Sequence, residues 1–351
     1  MIFVVMLLLP VTMTGKRSDE LGSLRRTVRG FSAIDTNYIE PQHYNWSLMI
    51  QGTYTYEIYR LRSNNGQSFT FAPDVGFKMG PYFGWRWLFL GYTFDLKNLQ
   101  LQKAKRELNL SIYSSQIGMD LFYRRTGSDY KMRSVNVGND RASEDLNGVS
   151  FGGINVGITG INLYYIFNHN RFSYPAAFSQ STCQKISCGS WIAGISYSRQ
   201  SLDLDYDELQ KVVDEHTNAN KKVTVDSSLN FNSLNYLDIG LSGGYAYNWV
   251  FAKNFLACFS GSVTLAYKHT TGDVNNDTEN TKGFNFNNIN VDGLGRLGVV
   301  YNNTKWYAGA SFIAHAYNYH KSRFATNNIF GSINVYVGFN FGLKKGYKNK
   351  K

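Results

Sequence analysis

The sequence predicts an all-β chain, a closed antiparallel transmembrane β-barrel of about twelve strands with short periplasmic turns and longer extracellular loops. Three observations predict it. Apolar and polar residues alternate with a period of two over stretches of about twelve residues or more, whereas strands of soluble proteins average five or six. The composition suits pleated sheet: aromatics reach 16%, with 25 Tyr and 24 Phe, and there are 33 Gly but only 5 Pro. All six tryptophans, Trp46, Trp85, Trp87, Trp191, Trp249 and Trp306, fall near the ends of these stretches, where an amphipathic ring suits a membrane interface. A soluble sandwich is the competing reading of the same alternation. Global disorder is excluded by 43% apolar against 17% charged residues.

The elements follow in order. Residues 1–15 hold an apolar run from Ile2 to Val11, well short of the roughly twenty residues of a spanning helix, and read as a signal peptide lacking its basic start and so truncated there. Residues 16–44 are expected to be a periplasmic lead, 45–343 the barrel, and 344–351 a basic periplasmic tail carrying Lys344, Lys345, Lys348, Lys350 and Lys351. Within the barrel, "NWSLMIQGTYTYEIY" sets Trp46, Leu48, Ile50, Tyr54, Tyr56 and Ile58 opposite Ser47, Gln51, Thr53, Thr55 and Glu57. "GPYFGWRWLFLGYTFDL" (80–96) sets Leu88, Leu90, Tyr92, Phe94 and Leu96 against Phe89, Gly91, Thr93 and Asp95. Its Arg86 reaches headgroups over an apolar stem in this reading. "YLDIGLSGGYAYNWV" and "SINVYVGFNFGL" repeat the pattern. Strands are expected at 46–60, 67–79, 85–97, 107–124, 129–138, 152–168, 190–204, 233–250, 255–270, 287–302, 304–319 and 330–343.

An even count returns both termini to one side. Tight turns at "GPYFG", "RTGS", "FAKN" and "NNTK" are then expected there, and the long segments "DYDELQKVVDEHTNANKKVTVDSSLN" and "TGDVNNDTENTKGFNFN" on the other. Residues 169–189 break this asymmetry. Either they enter the lumen as a plug or the count slips by one between 129 and 168.

Three segments carry a family likeness: "FSAIDTNYIEP" (31–41), "GPYFGWRWLFLGYTFDL" (80–96) and "YYIFNHNRFSYPAAFSQSTCQKISCGSWIAGISYS" (164–198). In these the chain resembles an uncharacterised outer-membrane β-barrel family of Bacteroidota, a domain of unknown function (DUF4421). The resemblance spans most of the mature chain and implies export, an outer-membrane location and a barrel. It supplies no activity and no catalytic residues.

Motifs that suggest chemistry fit the barrel better. "GLGRLG" (293–298) matches a dinucleotide fingerprint, but the glycines of that fingerprint open a helix, and here a strand pattern continues through Val299 and Tyr301. G-x-S-x-G occurs at 148–152 and 240–244, and the second lies inside a long alternating strand where no nucleophile elbow can form. An enzyme reading would pair Ser242 with His315. His269 and His320, with His216, and the strand-spaced Asp203, Asp205 and Asp207 are weak metal candidates at the external rim. Cys183 and Cys188 are candidates for a short loop disulfide, while Cys258 stays free. A net charge of +11 draws in part on the terminal lysines. Nucleic-acid binding is not expected, because that tail interleaves only Tyr347.

The polar face carries most information. Glu57, Asp74, Lys78, Asp95, Asp238, Lys268, Asp292, Arg296 and His315 are expected to point inward, where isolated charges are costly and must pair or meet water. Mixed signs argue for a cross-linked lumen over an ion-selective pore. The expected role is passive transport or surface binding with no cofactor. A barrel enzyme acting on lipid or lipopolysaccharide and a closed structural barrel are the alternatives. Expected partners are outer-membrane lipid and lipopolysaccharide, with a small solute in the lumen as an option.

Overall fold

The computed structural model describes residues 34–85, 88–91, 94–95, 106–125, 129–217, 223–231, 233–272, 288–320 and 324–348. The expected signal peptide, Arg86, Trp87, Lys350 and Lys351 lie outside the described residues. The strands are β1 (Ile39–Pro41), β2 (Tyr44–Ser63), β3 (Ser68–Pro73), β4 (Gly76–Trp85), β5 (Leu88–Gly91), β6 (Phe94–Asp95), β7 (Arg106–Tyr113), β8 (Ile117–Arg125) and β9 (Tyr130–Asn136). They continue with β10 (Ser150–Phe151), β11 (Ile154–Ile166), β12 (Thr182–Gln184), β13 (Cys188–Leu204), β14 (Ser233–Ala252), β15 (Phe255–Gly272), β16 (Ile289–Asn302), β17 (Trp306–His320) and β18 (Phe324–Leu343). The described residues also form four short α-helices: α1 (Asp140–Asp145), α2 (Tyr174–Phe178), α3 (Tyr206–His216) and α4 (Lys345–Lys348).

All main strands pair antiparallel in one sheet of sixteen segments, ordered β10-β9-β3-β2-β18-β17-β16-β15-β14-β13-β11-β8-β7, with β4 on β2 and both β5 and β6 on β4. Sixteen replaces the expected twelve because several strands are interrupted. β3 pairs with the end of β2 and β4 with its beginning, so the stretch from 68 to 85 is one run broken at Asp74 and Val75. Among the described residues the sheet ends at β7 on one side, and β5 and β6 have no partner but β4.

Two more expectations need correction. The span 107–124 is two strands, because the Ser114 amide donates to the Ile117 carbonyl (2.9 Å) and the Ile117 amide to Ser114 Oγ (2.9 Å), which closes a tight turn. The span 129–138 is not a neighbour of β8; β9 pairs with β3 and β10. "GPYFG" stays within β4, with Pro81 opposite Ile50, and "RTGS" beyond Arg125 lies outside the described residues. The turns at "FAKN" and "NNTK" form where expected.

First and last long strands meet, with Leu343 opposite Tyr44. The start of β2 and the end of β18 therefore share one end of the sheet, the terminal end. The opposite, far end carries the long connections.

One face of the sheet is apolar and open. Leu241 is 70% exposed, Trp191 67%, Leu265 60% and Val335 60%, far more contiguous apolar surface than a water-soluble monomer shows. The five described tryptophans lie at the terminal edge of this face, Trp46 beside Trp85 (6.2 Å between rings) and Trp306 beside Phe339 (5.3 Å).

The inner face is filled at both ends. At the far end, β9, α1 and β10 pack with α3 and residues 223–231 against Tyr59, Leu61, Leu202, Leu234 and Phe324 in one buried cluster. Asn139 caps α1 by accepting the Ala142 amide, and Asp205 caps α3 by accepting the Glu208 amide. At the terminal end, residues 168–187 fold inward as a plug, which settles the anomaly at 169–189. Its β12 pairs with β1 of the lead, and Phe172, Tyr174, Ala176 and Ala177 are buried against wall residues Tyr164, Ile192, Ala246, Leu256 and Cys258.

Candidate functional site

Between the two closures the inner face is polar and its charges pair. Period-two alternation aims Asp238 on β14, Lys268 on β15 and Asp292 on β16 to the same side, and register places Asp238 opposite Lys268. The Lys268 ammonium lies 3.1 Å from Asp292 and 3.7 Å from Asp238 and donates to the Asn318 carbonyl at 2.5 Å. Asp238 also accepts from Ser198 (2.9 Å) and Gln200 (3.0 Å), and Asp292 from the Asn318 amide (2.9 Å). All three residues of the triad are buried. Desolvation of that depth is tolerated only because each charge has a partner and further hydrogen bonds.

Two more pairs lie alongside. Arg296 bonds Asp120, which accepts from Ser111 Oγ at 2.6 Å, and its guanidinium lies 5.0 Å from the Tyr164 ring centroid. Arg124 lies 3.6 Å from Glu57, which also accepts from the Tyr130 hydroxyl at 3.0 Å. His315 stacks on Phe330 at 4.9 Å and contacts Phe122 at 5.4 Å. A cavity of about 30 Å³, water-sized, lies among Ser196, Ser242, Ser262, Thr264, Asp292, Arg296 and His315.

Of the residues the sequence pointed inward, Glu57, Asp238, Lys268, Asp292, Arg296 and His315 are buried. Asp74 is not. It falls at the break between β3 and β4, exposed, and accepts from Lys131 (2.7 Å) and Arg133 (2.6 Å). Lys78 is partly buried and opposite Asp95 in register; the side chain of Asp95 lies outside the described residues. Asp120 and Arg124 were missed because 107–124 was read as one strand. The signal was present: the apolar parity is even through Leu108, Leu110 and Ile112 but odd from Ile117 to Tyr123.

Ser242 and His315 line the same cavity, although their strands, β14 and β17, are not neighbours, and no hydrogen bond joins them. Asp203, Asp205 and Asp207 do not share a strand face. Asp203 accepts from Asn155 (3.3 Å) at the end of β13, Asp205 caps α3 and Asp207 lies in its first turn. His269 on β15 and His320 on β17 are separated by β16. Among the described residues no three His, Cys, Asp or Glu side chains gather as a metal site.

The expected disulfide is not formed: Cys183 and Cys188 are free thiols. Cys183, on β12, donates to the Asn302 carbonyl at 3.5 Å, whereas Cys188, at the start of β13, accepts from Asn168 at 3.1 Å. Pairing of β12 with β1 turns the two sulfurs to different partners. Desolvation in the plug pushes the Cys183 thiol up to about 12, so it is an inert packing group.

No curated protein matches the chain. Solved structures with a similar outline include the outer membrane protease OmpT from Escherichia coli, at 8% identity and TM-score 0.36 over 85% of this chain and 97% of that one. The outer membrane protein OprG from Pseudomonas aeruginosa gives 10% and 0.23 over 86% and 98%. The translocator domain of the autotransporter NalP from Neisseria meningitidis gives 9% and 0.28 over 92% and 96%. These likenesses are too slight to carry a role across. The family match is direct: it runs over residues 33–341, nearly the whole described chain, and the protein belongs to the family described as Domain of unknown function (DUF4421).

Proposed function

We propose that the protein is an outer-membrane β-barrel with a closed lumen, acting through its walls and external surface rather than as an open diffusion pore. With β3 and β4, and likewise β5 and β6, taken as interrupted single crossings and β9 and β10 as an added hairpin, the sheet makes twelve crossings. An even number with both termini on one side is the pattern of bacterial outer-membrane barrels, and the aromatic terminal edge with its apolar band supports the same reading. Ring closure then joins the crossing at 88–95 to β7.

One observation carries the closed state. The buried charges of the lumen satisfy one another, in the Lys268 triad and the Arg296–Asp120 and Arg124–Glu57 pairs, while packed segments occupy both ends of the inner face. A conducting pore needs inward charges that meet water and a continuous aqueous path. A cavity of about 30 Å³ beside the triad has room for water.

The test is single-channel recording of the purified protein in a planar bilayer at 1 M KCl. The expected trace is silent, apart from rare brief events. Steady, uniform conductance steps would restore the channel reading. The shared cavity of Ser242 and His315 supports a lipid-hydrolysing reading only weakly, since among the described residues no hydrogen bond joins the two side chains.

A further inference from the structure

The outer wall changes chemistry along its height. At the terminal edge it presents tryptophan, but at the far edge the outward positions of two strands, β8 and β13, present arginine on either side of β11. Arg125 ends β8 and Arg199 lies on β13, with β11 between them. Register places Gly157 of β11 between Arg125 and Ser201, and Thr159 between Tyr123 and Arg199. Two strand spacings across and two residues along put the arginine Cα atoms roughly 12 Å apart. Both side chains are exposed, and neither has an ion-pair or hydrogen-bond partner among the described residues.

The ground between them is low and hydroxylated. Gly157 has no side chain, and Ser201 Oγ lies 2.5 Å from the point where a Cβ would stand. Thr159 is exposed beside it. The nearest outward carboxylate on these strands, Asp203, lies beyond Ser201 and is engaged by Asn155. Directly below, toward the middle of the wall, the surface turns apolar: Tyr123 is 36% exposed, Leu163 39%, Tyr197 45% and Ile195 56%.

Resting on the outer-membrane reading above, we propose that this face binds a phosphorylated glycolipid of the lipid A class, its phosphates on Arg125 and Arg199 and its acyl chains along Leu163, Ile195 and Tyr197. Guanidinium forks match phosphate oxygens in a two-bond geometry that a lysine does not reproduce. Two unpaired forks set this far apart call for two anionic groups on one rigid platform. A sugar pair with a phosphate at each end and several acyl chains has that footprint; a glycerophospholipid, with one phosphate over two chains, engages one fork at a time. The far end is also the end of the long connections, which faces the outside in the barrel reading.

The experiment is native mass spectrometry of the full chain, folded in detergent micelles and titrated separately with bis-phosphorylated lipid A, dephosphorylated lipid A and phosphatidylglycerol. The comparison variants are Arg125→Gln/Arg199→Gln and, as a surface-charge control on a different strand, the exposed pair Arg60→Gln/Arg62→Gln. The expected result is a one-to-one lipid A adduct on the wild type, weakened at least about tenfold in the first variant, with much weaker adducts of the other two lipids. The control variant retains the adduct. Equal binding by the first variant, or equal binding of phosphatidylglycerol, overturns the proposal and leaves the barrel intact. If the chain instead stays monodisperse without detergent, the barrel reading itself fails, so the two failures are distinct. Folding of the variants is checked by their retention of a heat-shifted electrophoretic mobility.

Discussion

At the scale of single residues, the polar face of the sheet depends on Lys268. It is buried, and it joins two carboxylates that would otherwise repel each other across β14, β15 and β16. Lys268→Met leaves Asp238 and Asp292 buried and uncompensated, and removal of one partner from a buried pair typically costs about 3–5 kcal/mol. Urea unfolding in micelles, followed by tryptophan fluorescence, should show the midpoint fall accordingly. The triple variant Lys268→Met/Asp238→Leu/Asp292→Leu should recover most of the loss, since well-packed apolar groups often replace buried ion pairs without penalty. An unchanged midpoint in the single variant would mean that water reaches the triad. Residue identity made this cluster readable in advance: the three charges stand on the polar parity of their strands. Asp74 was misread for the converse reason, because alternation continues in the sequence across Asp74 and Val75 where the hydrogen-bond ladder does not.

At the scale of elements, the plug is stitched to the wall through Gln184. Its amide donates to the carbonyls of Tyr38 (3.3 Å), Arg171 (2.6 Å) and Ile186 (3.0 Å), and its oxygen accepts from the Ser173 amide (2.9 Å) and Asn248 (3.1 Å). Gln184→Ala orphans several of these groups at once, at about 1–3 kcal/mol for a buried one left unsatisfied. The loss is local. Trypsin should cleave after Arg171 and Lys185 faster in the variant than in the wild type, while the wall strands stay resistant; identical digestion of both would show that packing alone holds the plug. No sequence period announces such an element. Its helix has five residues and its anchoring is made of side chain to backbone bonds between positions far apart in the chain, so only the length of 169–189 hinted at it. The long wall strands were legible because their pattern is local, and β7 with β8 was lost because one tight turn reverses the parity.

At the scale of the whole molecule, the apolar band has unlike edges. With Trp46, Trp85, Trp191, Trp249 and Trp306 gathered at the terminal edge, lipids brominated close to the headgroup should quench the fluorescence of the reconstituted protein strongly, and lipids brominated near the chain ends weakly. The reverse ranking would place the tryptophans at mid-depth and sink the assigned orientation. The sequence set the tryptophans near strand ends but could not say that they share one end, since that depends on the direction of each strand and hence on a correct count.

The seam between β2 and β18 has a consequence for biogenesis. Nineteen residue pairs join the opening strand of the wall to its final one, so residues 64–323 must all be delivered before this seam can form. Contacts of such long sequence separation form slowly. During that interval the chain shows unpaired strand edges and a greasy face to an aqueous compartment, the condition under which β-rich chains aggregate. On the outer-membrane reading proposed above, maturation calls for an escort that shields the nascent sheet and for closure of this seam only after the C-terminal strand has arrived.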